Sequence, residues 1–237
     1  MFVRTENFRT FRRLYPIITT IVAIHLILWL VVQFSPTLLN LTIGFNLFIW
    51  QGEWWRLITP IFLHASLTHF LFNSLSLVLF GPAVERMLGK VKFITFYLLG
   101  GILANVATLL LKPDIYSHLG ASGAIFAIFG LYFYMVFLRP DLLDRANSQV
   151  ILTILGVGLV MTFLNSNINV IAHLFGFFAG TVLAPFFLGR GPATSPRSLR
   201  AIFPNIGRPS APRSGKQNIF WIVLGALVLF GILSRFM

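Results

Sequence analysis

Serine and histidine, placed in separate hydrophobic stretches, set the chemical question for this chain. Gly120-Ala121-Ser122-Gly123 closes a polar loop and opens the apolar run from Ala124 to Leu138. The first N–H groups of a helix have no intrahelical partner. Ser122 at that place fits a simple helix cap. It also fits a nucleophile whose developing oxyanion faces ready donors and the positive end of a helix dipole. A base within reach separates the two readings. The chain offers His173, inside Ala172-His173-Leu174-Phe175-Gly176, with a further glycine at Gly180. It has no cysteine, so thiol catalysis, thiolate metal sites and disulfides are excluded.

Other polar groups sit in apolar surroundings: His25, His64, His69, Asn73, Glu85 and Asn105. Such groups inside a spanning helix are costly and mark function by default. His69 and Asn73 are four apart and share a helix face. His173, Gly176 and Gly180 also share one face. Glycines at that spacing let helices approach closely, and the partner would be the segment in which Gly123 and Ala127 are small and four apart. Packing alone is the plainer account of the glycines. His64, five residues from His69, should diverge from it, and no His-Glu-x-x-His element exists. No zinc site and no cofactor are expected. His25 reads as a tolerated polar residue with a local partner, and Glu85-Arg86 as a surface or loop-fixing charge pair.

The elements that must position these residues follow from composition. Of 237 residues, 57% are hydrophobic and 10% charged; a soluble domain carries about 25% charged residues. So apolar a chain belongs in a bilayer, as one integral membrane domain. Apolar stretches at roughly 15–34, 62–83, 93–112, 121–138, 149–165, 168–189 and 218–236 are each long enough to cross the hydrocarbon layer, which takes about 20 helical residues. The first follows Arg4, Arg9, Arg12 and Arg13, but it is too long for a signal peptide and no small-residue cleavage site follows it. The expected organisation is a cytoplasmic segment 1–14, a six-helix core 15–189, a basic linker 190–217 and a seventh helix 218–237.

With the N-terminus cytoplasmic, all 18 Lys and Arg except Arg56, Lys112 and Arg235 fall on the inner side, as the positive-inside rule requires. The net charge of +12 is therefore a matter of orientation and anionic lipid, not nucleic acid. The connection 35–61 holds Trp50, Trp54, Trp55 and Arg56; it fits a partly inserted interfacial loop or an ordinary aromatic belt. On this topology the second, fourth and sixth helices all run inward. His69, Asn73, Ser122 and His173 then share one depth near the outer surface.

These residues resemble the rhomboid family of intramembrane serine proteases. The resemblance rests on Trp55-Arg56, His69-Phe70-Leu71-Phe72-Asn73, Glu85-Arg86-Met87-Leu88-Gly89, Gly120-Ala121-Ser122-Gly123, and Ala172-His173-Leu174-Phe175-Gly176 with Gly180, in order over about residues 50–190. It implies an all-α polytopic bundle of six core helices plus one, the bacterial type, and so a bacterial inner (cell) membrane. It implies a serine-type endopeptidase cutting transmembrane protein substrates near the outer face. Ser122 would be nucleophile and His173 general base, without a carboxylate. His69, Asn73 and the Ser122 N–H would hold the oxyanion, and Gly120 would shape the loop. Family members often carry tyrosine where this chain has Phe126, which can stack but offers no hydroxyl. The rival readings are a catalytically inactive member that binds transmembrane helices and a transporter with a polar cavity; no internal repeat supports the second.

Overall fold

The computed structural model describes residues 6–164, 168–189 and 202. The expected linker 190–217, apart from Ile202, and the expected seventh helix lie outside them. The described chain is all-helical save for two residues of pairing on each side of a short β-bridge. In order it comprises α1 (Phe8–Leu14), α2 (Pro16–Phe34), α3 (Pro36–Thr42), β1 (Gly44–Phe45), α4 (Asn46–Trp50) and 3-10 turns at Trp54–Leu57 and Thr59–Phe62. Then come α5 (Leu67–Leu88), α6 (Lys90–Leu111), β2 (Ser117–His118), α7 (Ser122–Leu138), α8 (Arg145–Leu164) and α9 (Val170–Leu188).

Five of these helices, α2, α5, α6, α8 and α9, are long and apolar enough to cross a membrane. The chain is a multi-pass integral membrane protein. The apolar α7 has 17 residues, about 26 Å at 1.5 Å per residue, a little short of the ~30 Å hydrocarbon layer. Its N-terminal residue can therefore lie just below the surface when the other end reaches the opposite interface.

The second span differs from expectation. The stretch 62–83 is predominantly apolar, yet the helix runs from Leu67 to Leu88. Thr59–Phe62 forms a 3-10 turn that ends in extended backbone at Leu63. Ser66 then caps the helix, its hydroxyl accepting from the His69 N–H at 3.1 Å. The helix stops at Gly89, whose φ of 78° suits glycine. Glu85 thereby falls inside α5, not on a surface. It is buried, and its carboxylate accepts from the N–H groups of Ile17 and Ile18, each at 3.0 Å. Those are the first free donors of α2, whose own cap residue Tyr15 supplies no side-chain capping bond. Glu85 thus caps a neighbouring helix and meets its dipole.

The described residues fall into two units, 6–134 with 171–189, and 135–164 and 168–170 with Ile202. In the first, α7 lies between α6 and α9, and small residues set the spacing. A Cβ on Gly176 would come within 2.2 Å of the Gly123 carbonyl oxygen, and one on Gly180 within 1.9 Å of that of Ala127. On the other side, a Cβ on Gly100 would meet the Ala127 Cβ at 2.3 Å. Thr181 donates to the Gly130 carbonyl at 3.2 Å across the α7–α9 seam, and Tyr132 donates to the Phe80 carbonyl of α5 at 2.7 Å. Backbones this close gain dispersion contact where lipid offers no hydrophobic drive. In the second unit, Asp144 caps α8 through the Asn147 N–H at 2.9 Å, and Arg145 and Gln149 donate to the Ile202 carbonyl.

Candidate active site

Ser122 is the first residue of α7, and it is partly exposed in otherwise buried surroundings. The turn before it is fixed at Gly120, where φ is +133°, a conformation that favours glycine. The Gly120 N–H donates to the Pro60 carbonyl at 2.8 Å. A Cβ on Gly120 would also sit 2.7 Å from Cε1 and Nε2 of His69 and 3.8 Å from the Ser122 hydroxyl. Glycine is thus required twice, for the backbone angle and for the imidazole against it. The His69 ring and the Ser122 Oγ border the same small space.

His69 stands in the first turn of α5. Its Nδ1 accepts a long 3.5 Å hydrogen bond from the Ala65 N–H. That bond assigns the proton to Nε2, the atom turned toward Gly120. Asn73 is one turn further on, buried, and its Nδ2 meets no partner among the described residues. A buried amide donor left unpaired costs about 1–3 kcal/mol.

His173 is the fourth residue of α9 and is buried. Its ring stacks on Phe126, centroids 4.1 Å apart and planes 19° apart. Phe126 follows Ser122 by one helical turn, so both project from the same side of α7. The close approach of Gly176 to Gly123 brings the segment bearing His173 against the one bearing Ser122. Gly120, His69 and Ser122, and Phe126 with His173, therefore gather at the N-terminal end of α7, with Asn73 one turn beyond His69 on α5.

Three further histidines lie outside this set. His64 lies in the extended segment before α5, and its ring is 5.1 Å from that of His69. The divergence expected from helical spacing fails because no helix joins them. His25 packs against His64 at 4.7 Å and lies 3.4 Å from the Tyr97 hydroxyl. His118, on β2, is buried two residues before Gly120; nothing in its spacing marked it. Among the described residues, no group of three His, Asp or Glu is arranged to hold a metal.

Comparison with known proteins gives a concordant result. A family profile described as "Rhomboid domain" matches residues 51–190. The chain is 51% identical over 188 residues to "Putative rhomboid protease YdcA" of Bacillus subtilis, covering 78% of this chain and 94% of that protein. It is 35% identical over 184 residues to "Rhomboid protease GluP" of the same organism, covering 78% of this chain but 32% of that longer protein. It is 31% identical over 137 residues to "Rhomboid-like protease 3" of Toxoplasma gondii, covering 56% of this chain and 51% of that protein.

Proposed function

This chain belongs to the rhomboid family, and from that membership we propose that it is an intramembrane serine endopeptidase that cleaves transmembrane segments of membrane proteins near the outer face. The Ser122 hydroxyl passes its proton to the His173 imidazole and attacks the scissile carbonyl. The tetrahedral oxyanion is held by the His69 Nε2–H, the Asn73 amide and the Ser122 N–H at the helix start. His173 returns the proton to the leaving amine. Water, activated by the same imidazole, then releases the acyl group.

The observation that carries this reading is the Asn73 amide, buried with an unpaired donor one turn beyond a His69 whose Nε2 lies, with the Ser122 hydroxyl, around the space that a Cβ on Gly120 would fill. Donors kept unpaired at a folding cost suit an acceptor that appears only during reaction. The stack of Phe126 on His173 supports the role of the imidazole by fixing its plane. A substrate helix must unwind to offer its backbone, so small or helix-destabilising residues near its outer end are cut best. The N-terminus is cytoplasmic, the enzyme needs neither metal nor cofactor, and its partners are transmembrane substrates and the bilayer.

The test is cleavage of a single-span test substrate in lipid vesicles by the purified chain and by Ser122→Ala and His173→Ala. The expected result is a defined cut by wild type and a loss of about 10³-fold or more in each variant. Equal cleavage by all three overturns the assignment. Binding without cleavage by wild type would favour an inactive member that holds transmembrane helices.

A further inference from the structure

His118 has no part in that chemistry, yet it is buried, and neither ring nitrogen meets a partner among the described residues. Its place gives it leverage over Ser122. β2 pairs antiparallel with β1, His118 opposite Gly44 and Ser117 opposite Phe45. The imidazole lies against Gly44 so closely that a Cβ there would come within 2.6 Å of Cε1 and Nε2 and 3.0 Å of Nδ1. Gly44 is not among the positive-φ glycines, so glycine serves here to make room for the ring.

The ground beneath Gly44 is rigid. Arg56 is buried, pairs with Glu53 at 2.6 Å and donates to the carbonyls of Asn40 and Ile43, each at 2.7 Å. Further bonds tie the approach to Ser122 onto the same segment. The Leu47 N–H donates to the Asp114 carbonyl at 2.8 Å, the Asn46 N–H to that of Tyr116 at 3.2 Å, and the Gly120 N–H to that of Pro60 at 2.8 Å. The strand leading to Ser122 is thus hung on residues 40–60 at several points, with the His118 ring seated on the central one.

We propose that His118 is a positioning residue: its neutral ring, seated on Gly44, latches the strand that leads to Ser122 onto the first-loop platform, and protonation of the ring releases it. The proposal rests on the reading of Ser122 as the nucleophile. It matters because misplacing a reacting group by 1 Å costs about 10²-fold in rate. Among the described residues, the groups facing the ring give an imidazolium no counter-charge. Tyr116 of its own segment stacks at 6.2 Å, the Lys112 ammonium at the end of α6 lies over the Tyr116 ring, and β1 contributes Gly44 and Phe45, neither ionisable. Burial pushes the His118 pKa down from 6.5 to about 4.

The sign follows from linkage. The latched state refuses a proton that the opened state accepts. Latching is therefore at full strength above pH 6.5 and weakens as pH falls toward about 4, by up to about tenfold in the opening equilibrium per pH unit.

The experiment uses the full chain in lipid micelles and two readouts. The first is amide hydrogen exchange of residues 44–47 and 116–120 between pH 7 and 4.5, corrected for intrinsic rate. Wild-type protection is expected to fall by up to about tenfold per unit below pH 6.5. His118→Phe, which keeps a flat ring but takes up no proton, is expected to show no such fall. The second is kcat against KM on a single-span test substrate at pH 7.5. Gly44→Ala and His118→Ala are expected to lower kcat about tenfold or more at unchanged KM, and His118→Phe to restore most of it. The same acid loss of protection in His118→Phe as in wild type, or unaltered exchange of 116–120 in Gly44→Ala, overturns the latch. No cleavage by wild type at any pH is a failure of the serine reading, and the exchange arm still decides the latch.

Discussion

Asn73 and His69, four apart on one helix, are proposed to share the oxyanion. His69 lies against Gly120, near the space the Ser122 hydroxyl also reaches, whereas Asn73 keeps a buried donor unpaired among the described residues. Asn73→Ala is expected to lower kcat about 10²–10³-fold, as for other oxyanion donors. It should leave thermal stability unchanged or slightly raised, because the variant buries no unpaired amide. A fall in stability with kcat intact would assign Asn73 to structure instead. At this scale the candidate site stands out in the sequence because its residue types and spacings are unusual in an apolar chain: a serine at a helix mouth and a histidine beside small residues. Glu85 was misread for a physical reason. The N–H groups it caps, Ile17 and Ile18, are 68 and 67 residues away, while Arg86 beside it suggested a local pair. His118 was missed because its consequence depends on a pairing with Gly44 that no periodicity announces.

The helices are placed by their smallest residues. Gly180 meets the Ala127 carbonyl so closely that a methyl group has nowhere to go, and its obstacle is backbone. Gly180→Ala is expected to part α9 from α7 and cost about 1–3 kcal/mol, with activity lost as His173 moves away. Gly156 of α8 is the control, since no described atom lies within 4 Å of where its Cβ would be. Gly156→Ala should gain roughly 0.5–1 kcal/mol from helix propensity. Unfolding of both variants in mixed micelles checks the opposite signs; destabilisation by neither, or equally by both, would contradict the packing account. The α7–α9 approach was legible in the i, i+3, i+7 run of His173, Gly176 and Gly180. The start of α5 was not. Hydropathy rates Phe62-Leu63-His64-Ala65 like the helix that follows, and the deciding signal is the cap at Ser66, a local hydrogen bond.

For the whole molecule, composition and basic-residue placement were enough to read a polytopic helical membrane protein, and α2, α5, α6, α8 and α9 cross on length and hydropathy alone. The connection 35–61 resisted the same reading. Its structure is a set of short helices and turns held by Arg56, Thr59 and Asn46 through backbone carbonyls, and side-chain to backbone bonds over long sequence distances leave no pattern in hydropathy. Yet this is the part against which the approach to Ser122 is anchored. On the proposed reading, a loop platform, a short helix and a tightly apposed partner helix together present an activated hydroxyl. Activation is the claim to measure. Labelling the purified chain in lipid vesicles with a fluorophosphonate probe, followed by peptide mass mapping, is predicted to give one adduct, on Ser122, and none in His173→Ala although the serine is still present. An adduct formed equally well without the imidazole, or found on another residue, would contradict it.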